Sequence, residues 1–484
     1  MTKHLDIDTK AMRAKILDLA IRGKLTDQRQ EDGNARDLLK EIQAEKERLI
    51  KEKKIKKEKP LPEITEEEKP FDIPDSWEWV RLGEIIELQS GQDFPKSKYS
   101  DTDKEGIPYI TGASCFTKNG VLENRWTRFP KCIATKGDIL LVCKGSGYGK
   151  ITVCNLQEVH IARQIMAIKR NEHLSLSYIE SFLMARIKLI KENGQGLIPG
   201  ISRDIVLNLL FPLPPLAEQQ RIADKVSALF AQLDVIDKAY EEYQELQQAM
   251  KAKLLELAIQ GKLTDQRKED GDARDLFQDI QEEKQRLIAE KKIKKEKPLP
   301  EITEEEKPFD IPENWEWVRW GTLSTSIKYG YNTSAQKDGK IKMVRISDIQ
   351  NNQVNWDSVP FCNIPNEEIT QYLLRKNDIL FARTGGTVGK SYLVSEVPEN
   401  VVYAGYLIRT RYSEKLSPQY LKYFMESYLY WSQLKKGTTI TAQPNCNAKT
   451  LGKMVLPLPP LAEQQRIVAK LDELLPHLNP GKEP

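Results

Sequence analysis

The chain has 484 residues, 39% hydrophobic and 30% charged, enough for two or three globular domains with their own cores. A net charge of only +3 excludes nucleic-acid binding through one global basic field, so any such contact rests on local patches. Six cysteines without a CxxC pair, four isolated histidines, no apolar leader core and no membrane-length apolar run argue against a zinc centre, export or membrane insertion, and make the cytoplasm the expected compartment.

Residues 1–24 are expected to form an N-terminal helix with Leu5, Thr9, Met12, Ile16 and Leu19 on one seam. A helical and Pro-rich connector follows over 25–74. In it DGNARD sets Asn34 as the N-cap of a helix from Ala35 to Lys56. The lysine-rich end of that helix could touch phosphates, but with the acidic EITEEE run after it the better reading is solvated charge, and Pro60 to Pro74 reads as an extended, polyproline-like link. Residues 75–212 open on a Trp77 and Trp79 strand signal, continue as short alternating strands and close with one helix near Leu176 to Ile190. That pattern predicts a compact α+β domain in which the tryptophans are core anchors rather than base-stacking platforms.

From Ile222 the positions Ile222, Val226, Leu229, Leu233, Ile236, Tyr240, Tyr243, Gln247, Met250, Leu254 and Leu257 alternate steps of four and three, with Gln247 alone polar. A 3.5-residue period predicts a coiled-coil spacer over 213–262, its seam roughly 50 Å long at 1.5 Å per residue. The plan then repeats: a connector over 263–312 with Asp272 as N-cap, a second α+β domain over 313–457 with Trp315 and Trp317 and a late helix near Leu416 to Leu434, and a helix over 458–478. That last helix carries Ile467, Leu471 and Leu474, is expected to stop early at Pro476, and leads into a disordered tail, 479–484.

The repetition is uneven. LIKEKKIKKEKPLPEITEEEKPFDIPDSWEWVR from Leu49 returns 238 positions later, at Leu287, with three differences, and PLPPLAEQQRI starts at both Pro212 and Pro457. Between these blocks, residues 83–211 and 321–456 share only fragments, such as KGDILL at Lys136 and KNDILF at Lys376. Such a pattern fits two copies that dock the same partner while each insert reads a different target. The seams of the C-terminal and N-terminal helices match the two halves of the spacer. The chain ends are therefore expected to meet and pair antiparallel with it, in pseudo-two-fold symmetry.

Two kinds of loop recur at equivalent places in the inserts. KGSGYGKI, with Lys144, Ser146, Tyr148 and Lys150, and RTGGTVGKS, with Arg383, Thr384, Thr387 and Lys390, join basic residues to glycines that let a backbone approach phosphates or base edges. GQGLIPGISR, with Gln195 and Arg203, and KKGTTITAQPNCN, with Lys435, Lys436, Gln443 and Asn445, precede each PLPP block and are rich in side chains that read bases. Each loop alone fits an ordinary turn better, and only the recurrence at equivalent places brings the two readings level. TGGTVGKS departs from a nucleotide-binding loop at Thr384, and Lys144 and Ile151 break the pattern in the other copy, which argues against ATP binding.

The doubled PLPPLAEQQRI, the doubled IPxxWEWVR openings, the DIL-(x)n-GK strand–loop motifs and the heptad spacer resemble the specificity subunit of Type I restriction–modification systems over essentially the whole chain. The resemblance implies two target-recognition domains of mixed α/β structure joined by long antiparallel coiled-coil helices. Each domain would read one half of a split, asymmetric DNA target, with the helices as a ruler. It also implies docking of two methyltransferase subunits and recruitment of ATP-driven restriction subunits in a prokaryotic cytoplasm, and Leu216 to Arg221 and Leu461 to Arg466 match the family's shared blocks. S-adenosylmethionine, ATP and Mg are expected on those partners. No catalytic residue, metal or cofactor is expected here, and no Asn/Asp-Pro-Pro-aromatic methyltransferase motif is present. The alternative at this point is a coiled-coil scaffold that binds proteins and never DNA.

Overall fold

The computed structural model describes residues 7–145, 147–192, 200–398, 400–437 and 445–478. It divides into two compact units, one built from the chain up to Tyr240 and one from Glu241 onward. The chain passes from the first to the second inside a 44-residue helix, Leu216–Ile259.

In the first unit the N-terminal helix, Thr9–Ile21, is capped by the Asp8 carboxylate and runs antiparallel to the first half of the long helix. Thr9 donates to Asp237 at 2.6 Å, and Arg13 reaches Asp234 at 2.8 Å and Asp237 at 2.9 Å. Beyond the other end of the short helix, Thr26 and Gln28 donate to Glu218. In the second unit the C-terminal helix, Leu461–Leu478, shares a core with Leu255, Ala258 and Ile259 of the long helix. The junction repeats there, with Thr264 and Gln266 donating to Glu463. Pro476 does not stop this helix early. It sits in the last turn, where its missing N–H forfeits a single intrahelical bond, and the helix ends two residues later.

The buried stripe departs from the heptad seam. Ile222, Val226, Leu233, Ile467 and Leu471 are buried as the seam requires, and Leu229, Ile236 and Leu474 are half-buried. Met12, Tyr240, Tyr243 and Met250 are exposed, however, and Ile16, Leu19, Leu254 and Leu257 are only half-buried. The fully buried residues at these places are Leu17, Ala20 and Ile21 and their copies Leu255, Ala258 and Ile259. The cause is the partner. These turns pack into the cores that hold Trp77 and Trp315, so the buried set follows i, i+3, i+4 spacing on an α+β body. Leu5 and the tail 479–484 lie outside the described residues.

Asn34 and Asp272 do cap the connector helices, Ala35–Lys51 and Ala273–Ala289, by accepting from the amides of Arg36 and Arg274. Both helices end earlier than expected, because the chain turns at Lys53 and Lys291, each with φ of 56°. The extended link that follows is pinned by a buried arginine. Arg81 donates to the carbonyls of Pro62, Glu63 and Asn208 and to Glu68, and Arg319 repeats this with Pro300, Glu301, Lys453 and Glu306. The EITEEE run is therefore tied down at its last glutamate in both units.

Each insert is closed by a two-stranded ribbon. Glu78–Arg81 pairs antiparallel with Leu210–Leu213, and Glu316–Arg319 pairs in the same way with Val455–Leu458. Pro212 and Pro457 stand opposite Trp79 and Trp317. A two-stranded ribbon has only edge strands, so it tolerates prolines that cannot donate. Trp77 and Trp315 are both 3% exposed, core anchors as expected, and their indoles donate to Glu218 at 2.8 Å and Glu463 at 2.7 Å. Burial pushes both carboxyls up, and the hydrogen bonds from Trp, Gln and Thr pull them back.

Behind each ribbon stands a four-stranded antiparallel sheet. Its strand order is Leu88–Ser90, Ile165–Ile168, Ile139–Val142, Ile151–Val153 in the first unit and Ser324–Tyr329, Leu407–Tyr412, Ile379–Ala382, Ser391–Leu393 in the second. A second sheet in each contains one parallel pair, Ile107–Ile110 with Glu158–Ile161 and Ile341–Val344 with Val401–Tyr403. The divergent inserts thus share the first sheet's order and the parallel pair of the second, which has four strands in the first unit and three in the second. The late helix is single in the first unit, Leu176–Glu192, but broken in the second into Pro418–Phe424 and Tyr428–Gly437. Ser427 makes the break, its hydroxyl bonding the Phe424 carbonyl and accepting the Tyr430 amide.

Candidate nucleic-acid interface

The turn after Ile139–Val142 is built on Gly149, with φ of 85°, whose amide donates to the Val142 carbonyl at 2.7 Å. A Cβ there would strike Lys191, and one at the equivalent Gly389 would strike Leu434 and Trp431. Glycine is required at both turns by conformation and by close approach.

These turns do not stand alone. Lys144 forms a β-bridge to Gly200, and the Ile201 amide donates to the Cys143 carbonyl at 2.8 Å. Thr384 forms the same bridge to Asn445, and the Cys446 amide donates to the Arg383 carbonyl at 2.9 Å. In each unit the described end of the second loop type, at Gly200 and at Asn445, therefore lies beside the first. The bridges also set their correspondence: Lys144 stands where Thr384 does, and Cys143 where Arg383 does.

Lys144, Lys150, Lys390 and Asn445 are exposed; Tyr148, Arg383, Thr384 and Thr387 are half-buried. The Lys191 ammonium lies 5.2 Å from the Tyr148 ring centre. Arg383 lies over the Tyr329 ring at 4.7 Å, with a buried Nε that makes no hydrogen bond. Lys435 and Lys436 are exposed in the last turn of Tyr428–Gly437, where the helix dipole favours cations. Arg203 is not available as a reader. It opens the short helix Arg203–Leu207, and its guanidinium is held between the Leu88 carbonyl and the Glu58 carboxylate. Ser146, Gln195 and Gln443 lie outside the described residues.

Sequence reasoning missed three residues that the fold brings to these loops. The Gln164 carbonyl accepts from the Cys143 amide at 2.6 Å, and the Tyr406 carbonyl accepts from the Arg383 amide at 3.1 Å. Tyr406 is 64% exposed. Tyr329, at the end of its strand, accepts from the Ala448 amide through its hydroxyl. None sits in a motif, so only the sheet register finds them. Nothing here resembles a reaction centre. Burial pushes the Cys143 thiol up to about 12 and the Cys446 thiol up to about 11, which keeps both protonated and inert. Among the described residues no cluster of three or more His, Cys, Asp or Glu could hold a metal, and no helix is long and apolar enough to cross a membrane.

The surface carries a basic or polar residue beside glycines twice, in one geometry, with different side chains. The family described as Type I restriction modification DNA specificity domain matches residues 74–245 and again 312–482. The Type I restriction enzyme EcoAI specificity subunit of Escherichia coli is 31% identical, over 97% of this chain and 89% of its own length. The EcoEI specificity subunit of Escherichia coli is 28% identical, over 96% and 88%. A chain solved in work on complex assembly and conformational transition of the type I R-M system is 20% identical and shares the fold, with a TM-score of 0.58 over 85% of this chain and 93% of that one. With the family domain present twice and both relatives spanning nearly the whole chain, this protein belongs to the specificity subunits of Type I restriction–modification systems.

Proposed function

We propose that the paired loops of each unit read one half of a split, asymmetric DNA target, within recognition domains spanning 75–212 and 313–457. The carrying observation is the doubled bridge, Lys144 to Gly200 and Thr384 to Asn445, which gives two different sets of side chains one backbone frame. In the first unit the contacts fall to Lys144, Tyr148, Lys150 and Gln164. In the second they fall to Arg383, Thr384, Thr387, Lys390, Tyr406, Lys435, Lys436 and Asn445. Lysine and arginine supply charge-assisted donors to phosphates and guanine, and asparagine and glutamine suit adenine.

Membership of this family makes the chain a selector rather than an enzyme: it chooses the DNA on which methyltransferase and restriction subunits act, in a prokaryotic cytoplasm. The near-identical helices and connectors are the surfaces those subunits share. A scaffold that never touches DNA is disfavoured, because it gives no reason for two inserts to keep one frame and change the residues on it.

The test is a domain exchange in the whole complex. Replacing residues 83–211 by the insert of another specificity subunit, then mapping methylated sites in a host genome, should change one half of the target and leave the other as it was. Change in both halves, or in neither, would refute modular reading.

A further inference from the structure

Beside each pair of reading loops lies a segment that does not vary between the units. Lys53 to Lys59 and Lys291 to Lys297 are identical, each with five lysines and one glutamate. Ile55 and Ile293 are half-buried while the lysines of both segments are exposed. The apolar side chain thus anchors each turn and leaves its ammonium groups in water. Lys54 is neutralised by Glu52 and Lys292 by Glu290, each at 2.7 Å, and Glu58 is taken by Arg203. Lys56, Lys57, Lys294 and Lys295 reach no carboxylate among the described residues, so their charge is directed outward.

The position of these segments gives that charge a direction. Arg203 follows Gly200 by three residues, and Gly200 is bridged to Lys144. The Arg203–Glu58 pair therefore ties the first lysine segment directly to the reading loop. In the second unit Lys294 acts on Lys328, the residue before the Tyr329 that lies under Arg383. Burial first, and then the charges of Arg409, Lys294 and Arg411, push the Lys328 ammonium down. In the first unit the segment flanks the loop through a direct ion pair, and in the second the identical turn leaves the equivalent helix with the same φ of 56°.

The loops differ between units because bases differ between half-sites; the phosphate backbone beside them does not. A protein partner common to both units would also demand an unvarying surface, but the centres of protein interfaces are depleted in lysine. Here the one apolar side chain of each turn faces inward. We infer that the turns Lys53–Lys59 and Lys291–Lys297 grip the DNA phosphates flanking each half-site, supplying affinity without sequence preference. This inference rests on the reading of the adjoining loops as DNA contacts.

The test uses the chain assembled with its methyltransferase subunits and a 50-bp random-sequence duplex, titrated across potassium chloride concentrations. Lys56→Gln, Lys57→Gln, Lys294→Gln and Lys295→Gln are combined. Each phosphate that is no longer neutralised lowers the log–log salt slope by about 0.9, so the quadruple variant gives up as much as about 3.6. Lys→Arg at the same four positions should restore the slope, and the methylated sequence in a host genome should be that of the wild type. An unchanged slope overturns the grip, as does a quadruple variant that no longer assembles with the methyltransferase subunits, which would make the turns a protein-docking surface. Alanine at Lys144 and Lys150 separates the two readings. If that pair changed nothing while the quadruple variant showed the shallower slope, the loop assignment would fall and the grip stand; the opposite pattern sinks the grip alone.

Discussion

The late helices of the two units carry opposite charges at matching positions: the first packs on the N-terminal helix, and the second reaches Lys251 of the long helix. Tyr178 and Tyr420 fix the correspondence, each donating to the carbonyl of its PLPP block, Pro212 at 2.9 Å and Pro457 at 2.8 Å. Two residues on, the first unit has Glu180 and the second Lys422; four further, Met184 corresponds to Glu426. In the second unit Lys422 and Lys251 of the long helix close on Glu426, both at 2.8 Å. The copy of Lys251 in the first unit is Arg13, which turns instead to Asp234 and Asp237, with Lys118 joining at Asp234. Helices that keep one apolar pattern therefore tolerate inserts of either polarity, because each insert brings its own counter-charges. What must be conserved is the apolar core, and the ion pairs can be rebuilt.

The largest effects should fall on the shared core and be equal in the two units. Trp77→Ala and Trp315→Ala should each cost about 3–5 kcal/mol, read from denaturant unfolding. A difference of more than half between them would mean that the cores are less alike than the repeated burial implies. Next comes Glu426→Gln. Burial opposes ionisation of Glu426, yet Lys422 and Lys251 hold it at about 2. The variant leaves Lys422 buried without its counter-ion, a loss of about 3 kcal/mol at pH 7. A depressed carboxyl stabilises the fold above its unfolded value and loses that contribution as pH falls through the folded one. The gap between wild type and variant should therefore close from about pH 4.5 down to about pH 2. A gap that stayed constant over that window would show that the ion network contributes nothing to stability.

Lys144→Ala with Lys150→Ala should weaken duplex binding by about 1–3 kcal/mol and leave stability alone; unchanged binding would return that loop to a structural turn. The smallest effect has the opposite sign. Burial raises the Glu180 carboxyl, so its ionised form opposes folding at neutral pH, and stability is regained as pH falls through the raised value toward the unfolded one. Glu180→Gln should then stabilise the first unit by on the order of 1 kcal/mol or less at pH 7, with the advantage vanishing in acid. A destabilised variant would show that Glu180 has a partner worth more than its desolvation.

Much of this was legible in the chain. The duplication at Leu49 and Leu287, the caps Asn34 and Asp272, and the buried tryptophans follow from local rules of spacing, capping and size. The seam through Tyr240, Tyr243 and Met250 misled, because heptad spacing assumes that only another helix covers the face. Over Leu17 and Leu255 an α+β body covers it, and the buried stripe shifts by one residue. Arg203 misled for a related reason: composition marked its loop as polar, but only the fold reveals that its guanidinium is already spent on Leu88 and Glu58. Gln164, Tyr329 and Tyr406 were invisible because strand register, not neighbouring sequence, brings them to the loops.

The ribbon that closes each insert sets how such a protein can change. Glu78 faces Leu213 across the clasp and Arg81 faces Leu210, so everything between enters and leaves at one point on the helical frame. A replacement hangs correctly when its two ends arrive a strand's width apart and it completes the core that Phe182 and Leu207 share with Leu17 and Ile222. If each insert reads its own half-site, a change of target preference is thereby separable from subunit assembly, because a new reader enters on one pair of strands.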